Sequence, residues 1–82
     1  MNKKKVFEHM INSPKSIRFN DFVTVAESFG FRCSRQEGSH RIFKNPTVAE
    51  LINLQDDNGK AKPYQIKQFL SIVEKNNLKI ED

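Results

Sequence analysis

The run Arg35-Gln36-Glu37-Gly38-Ser39-His40-Arg41-Ile42-Phe43-Lys44 sets one imidazole just after a glycine, among several cations. Histidine has an unperturbed pKa of about 6.5, so it exchanges a proton near neutrality without special tuning. Arg35, Arg41 and Lys44 would draw a polyanion to the same place. A group able to take a proton, set among groups able to hold phosphate, is the minimum equipment for cutting RNA. His40 is therefore the candidate catalytic residue, a general acid/base that removes the proton of a ribose 2′-hydroxyl so that its oxygen attacks the adjacent phosphorus. The neighbouring cations would stabilise the charge that gathers on the phosphorus oxygens. RNA carries its own nucleophile, so this chemistry needs neither metal nor triad, and DNA should be spared.

Other side chains offer less. Lys60, Lys62 and Lys67 form a second basic cluster around the start of the last helix, whose positive dipole end also attracts phosphate. The bland account of both clusters is a solvated rim, with His40 bonded to backbone. Tyr64 would stack on a base, although an aromatic one turn into an amphipathic helix more often packs. Cys33 reads as strand core, and Met10 and the seven phenylalanines as core too. His9, on a short lysine-rich helix, defaults to the surface.

Eighty-two residues make one small domain. A chain of this size buries only roughly 60–65% of its unfolded surface, which leaves no deep cavity and favours chemistry on an open face. Fourteen Lys and Arg against ten Asp and Glu give a formal charge of +4, which suits an acidic partner. The lone Cys33 makes no internal disulfide, and no Cys/His spacing resembles a zinc site, so neither a metal nor a small-molecule cofactor is expected. The lysines at the N-terminus are not followed by the apolar stretch of a signal peptide, and no run approaches the ~18 apolar residues of a membrane helix. A reducing cytoplasm is the expected setting.

Periodicity supplies the elements that must hold His40. Val6, Phe7, Met10 and Ile11 mark a helix over 3–12, ended by Ser13-Pro14. Asn20 is a plausible N-cap for a second helix, with Asp21 in its first turn, apolar Phe22, Val25, Ala26 and Phe29, and Gly30 as the left-handed stop. Phe31, Cys33 and Arg35 then alternate against Arg32, Ser34 and Gln36, and Gln36-Glu37-Gly38-Ser39 connects this strand to a returning one over 40–44. Asn45-Pro46-Thr47 turns the chain into a third strand over 49–54. The segment 56–62 reads as loop. Pro63 opens a closing helix carrying Ile66, Phe69, Leu70 and Val73, and Asn76-Asn77 ends it. The expected fold is α+β: an α-β-β-β-α core, a three-stranded antiparallel sheet packed on two helices, with an extra N-terminal helix. Alternation separates His40, Ile42 and Lys44 from Arg41, Phe43 and Asn45. Each set holds one large apolar residue, so the sequence does not say which set faces inward.

Gly30-Phe31, then Arg35-Gln36-x-Gly38-Ser39-His40 in a hairpin, then Lys62-Pro63-Tyr64-Gln65-Ile66 opening the last helix resemble the HicA family of toxin mRNA interferases over residues 18–77. The resemblance implies a fold like the double-stranded-RNA-binding domain and a ribonuclease acting on mRNA. It also implies inhibition by a HicB-type antitoxin covering His40 and the basic face. It makes His40 catalytic, with Gly38 and Ser39 shaping its turn. Two departures stand out. Residues 1–17 form an extension ahead of a domain over 18–82, and Leu54-Gln55-Asp56-Asp57 stands where shorter members carry a Pro-His pair. The second acid/base group is thus open, with Lys60, Lys62 and Tyr64 as candidates. A non-catalytic RNA-binding module using the same basic face is the alternative, and a protein-interaction domain with an open sheet edge is a third reading.

Overall fold

The computed structural model describes residues 2–81. Helix α1, Lys3–Asn12, is capped by Asn2, whose side chain accepts the Lys5 amide at 2.9 Å. Its packed arc is Val6 and Met10, with Phe7 half-buried against Phe29 at a ring separation of 5.0 Å. Ile11 lies off this arc and is 55% exposed, against the expected stripe. A 3₁₀ turn, Pro14–Ser16, leads to α2, Phe19–Ser28.

Helix α2 starts one residue before the expected cap. Arg18 takes the N-cap position without a side-chain bond, and a backbone carbonyl from another part of the chain, Gly59 O, accepts the Phe19 amide at 2.9 Å. The helix ends as expected. Gly30 adopts φ +93°, and the Gly30 and Phe31 amides close back on Glu27 O and Ala26 O, a Schellman cap.

The sheet is an antiparallel meander of four strands in the order β1-β2-β3-β4: Arg32–Glu37, His40–Lys44, Ile52–Asp57 and Lys60–Ala61. Its third strand lies later than the expected 49–54, and 56–62 is not all loop. Asn58 and Gly59, at φ +53° and +85°, form the tight connection of a second hairpin in which Asp57 faces Lys60. Two successive positive φ values are the requirement of a type I′ turn, for which Asn-Gly is the preferred pair. Helix α3, Pro63–Lys75, begins at Pro63 and stops at Asn76-Asn77, where Asn77 takes φ +52°.

One face of the sheet meets the helices. Phe43, Ile52 and Leu54 are buried against Phe22, Ile66 and Phe69, and the Phe69 ring lies 5.5, 5.7 and 5.8 Å from those of Phe22, Phe29 and Phe31. Val6 and Met10 of α1 belong to the same core. This is the expected α+β architecture, with an α-β-β-β-α core and an added N-terminal helix.

Two ties set the sheet against the helices. Buried Asn45, just past β2, donates to Phe29 O at 2.8 Å and accepts the Thr47 amide and hydroxyl at 2.9 and 2.8 Å. Buried Gln65 of α3 accepts the Gln55 amide at 2.9 Å. Strand β4 is too short to reach that amide, and the side chain replaces the missing strand partner.

Candidate functional site

Burial of Phe43 settles the pleat of β2. Phe43 and Arg41 point toward the helices, so His40, Ile42 and Lys44 stand on the open face. Gly38-Ser39 is a two-residue connection that brings Glu37 directly opposite His40. Gly38 sits at φ +59° with nothing within 4 Å of where a Cβ would be, so the turn requires glycine for its backbone angle and not for space.

On the neighbouring strand β1 the register slips between Cys33 and Arg35. Cys33 faces Phe43, but Arg35 faces Ile42, and the extra residue, Ser34, moves Arg35 to the side opposite the one that simple alternation assigns. This bulge delivers Arg35 to the face of His40. Cys33 is exposed, contrary to the core role expected of it. It lies on an edge strand whose residues are all exposed, beyond the cover of the helices.

From the other side, β3 places Asn53 opposite Ile42 and Gln55 opposite His40. The result is a shallow groove of about 530 Å³ on the open face, lined by His40, Ile42, Lys44, Arg35, Asn53 and Leu51 among others. Leu51, 54% exposed, and half-buried Ile42 give it an apolar floor. His40 Nδ1 lies 3.3 Å from Asn53 Oδ1. Arg35 is tied to Glu37 through its Nε at 2.8 Å, so its charge is countered locally, whereas Lys44 makes no ion pair among the described residues.

The remaining expected cations lie elsewhere. Arg41 is on the packed side, its guanidinium 5.0 Å above the Phe19 ring and its Nε buried without a hydrogen-bond partner. It lines a separate cleft between the turns at Gly38-Ser39 and Asn58-Gly59. Lys60 pairs in register with Asp57 and forms a backbone bridge with Arg18, Lys62 occupies the N-cap position of α3 without a side-chain bond, and Lys67 is exposed on that helix. None of the three lines the groove of His40. Tyr64 is 63% exposed rather than packed. His9 is exposed, its Nε2 3.0 Å from Ser16 Oγ, far along the chain from this site. Asn53 is the groove residue that sequence reading missed. The signal was an isolated polar residue between Ile52 and Leu54, but it points to His40 only once the β2–β3 register is known.

Among the described residues no helix is long and apolar enough to cross a membrane. Neither a curated protein nor a solved structure is matched by the chain. A family described as the HicA toxin of bacterial toxin-antitoxin matches residues 19–74, from the start of α2 to the last turn of α3, which takes in the whole sheet and its groove. The chain therefore belongs to the HicA toxin family, and its part is that of the toxin in a toxin–antitoxin pair.

Proposed function

We propose that this toxin is a metal-independent endoribonuclease that cleaves messenger RNA in the cytoplasm, with His40 as its general acid/base, and that a HicB-type antitoxin inhibits it by covering the groove. The observation that carries this reading is His40 itself: a solvent-facing imidazole in an open groove that a flexible polymer can enter. One imidazole nitrogen takes the 2′-hydroxyl proton, O2′ bonds to phosphorus, and the bond to the 5′-oxygen breaks, that oxygen gaining a proton from solvent. The products are a 2′,3′-cyclic phosphate and a 5′-hydroxyl. Lys44, with Arg35 beside it, faces the phosphate in the groove. Arg41, Lys60, Lys62 and Lys67 serve as outer contacts for the flanking strand, while Gly38 and Ser39 shape the turn that presents His40.

One observation favours a second reading, a non-catalytic RNA-binding module: Glu37 counters Arg35, which leaves Lys44 as the groove's cation without an ion pair. Cleavage of RNA in the presence of a chelator separates the two. His40→Ala should lose about 10²- to 10⁴-fold in rate while keeping its salt-dependent affinity for RNA. If the wild-type protein binds RNA but leaves it intact, the binding module is the better account.

A further inference from the structure

Imidazole has two ring nitrogens, and a general base must offer the unprotonated one to the substrate. In water the neutral ring prefers to carry its proton on Nε2, which leaves the nitrogen nearer the backbone as the base. A hydrogen-bond acceptor at Nδ1 reverses that preference.

We propose that Asn53 is a positioning residue that sets the tautomer of His40. Its side-chain oxygen, 3.3 Å from Nδ1, accepts the Nδ1 hydrogen and leaves Nε2, at the far end of the ring, free to take the 2′-hydroxyl proton. The inference rests on His40 being the base. The distance is slightly longer than an ordinary N–H···O hydrogen bond, as is common for catalytic contacts before substrate arrives.

Two features make the contact a product of the fold and not a chance meeting of surface side chains. The pairing of Ile42 with Asn53 and of His40 with Gln55 makes His40 and Asn53 diagonal neighbours on one face. Ile52 and Leu54, on either side of Asn53, are completely buried, so Asn53 cannot turn to the other face without drawing both out of the core. The position is thus held by a rigid strand, as a precise site requires.

The orientation of the amide matters. With oxygen toward the ring, Nδ1 donates and Nε2 is the base. Reversed, the amide nitrogen would donate to Nδ1, the ring proton would sit on Nε2, and the far nitrogen could not accept a proton. As the amide is neutral, it orients the ring without adding a charge to a groove that must accept phosphate.

The tautomer can be read directly from the ¹⁵N shifts of His40 at a pH where the ring is neutral, in parallel with RNA cleavage by wild type, Asn53→Ala and Asn53→Asp. The expected result is an Nδ1–H ring in the wild type and in Asn53→Asp, which keeps an acceptor, and a shift toward Nε2–H in Asn53→Ala. Cleavage by Asn53→Ala should fall about ten- to a hundredfold, by analogy with the loss seen when the hydrogen-bond partner of a metal-bound histidine is removed, with an unchanged melting temperature and partial recovery in Asn53→Asp. An Nε2–H ring in the wild type, or an Asn53→Ala protein with unaltered tautomer and rate, overturns the proposal. Absence of cleavage in the wild type would instead sink the catalytic reading, while the ¹⁵N spectrum still reports on the contact.

Discussion

Along β2, Phe43 is sealed against Ile52, Leu54 and the aromatic cluster around Phe69, whereas His40 and Lys44, on the opposite side of the same strand, stand in water. The packed side holds apolar groups whose positions are fixed by volume. The open side carries polar groups placed by register alone, with two apolar residues, Ile42 and Leu51, as a floor. Stability and chemistry are thus assigned to different residues of one short strand, and substitutions should affect them separately.

The largest effect belongs to the packed side. Phe69→Ala should cost about 3–5 kcal/mol in urea denaturation, a large part of the stability of so small a domain. His40→Ala, which slows cleavage about 10²- to 10⁴-fold under the proposal above, should change stability by no more than about 0.5 kcal/mol. If His40→Ala proved as destabilising as Phe69→Ala, the separation of the two faces would be wrong.

A sharper test lies where the two faces are tied together. Gly30→Ala forces a side chain into φ +93° and sets its Cβ 3.0 Å from Asn45 Nδ2, the group that anchors the end of β2 to Phe29 O. The expected cost is about 1–2 kcal/mol, seen as a melting temperature lower by roughly 4–16 °C, with cleavage retained by the folded fraction at low temperature. An unchanged melting temperature would show that the cap does not constrain the strand.

The smallest effect concerns the segment leading into β3. The Lys75 ammonium, 2.9 Å from Glu50, holds that carboxyl below its ordinary value. A lowered folded-state value means that the contribution is present above the unfolded-state value and is lost as pH falls through the folded one. Glu50→Gln should therefore melt slightly below wild type at neutral pH, and the gap should close on acidification. A gap that widens in acid would reverse the sign and exclude this pair as its source.

Much of the fold was legible because its signals are local. Proline at the start of α3, Gly30 after α2 and the apolar spacing of both helices each act within a few residues. The Asn58-Gly59 turn is equally local, but the polar run around it hides a two-stranded hairpin. The third strand is expected three residues early at each end because apolar Ala49 and Leu51 lengthen the apolar stretch, whereas the sheet begins only at Ile52 and Leu51 is left exposed. Cys33 read as core because alternation says nothing about whether a helix lies above a given strand.

The sequence by itself determined that His40 follows a glycine turn at the head of a strand, that the chain is α+β, and that its charge suits a polyanion, because these depend on residue type and short spacing. Tertiary structure alone decided which cations share a face with His40. A one-residue bulge at Ser34 brings Arg35 in, the burial of Phe43 turns Arg41 away, and the pairing of β2 with β3 supplies Asn53. Register and burial are relations between strands, and no single stretch of sequence contains them.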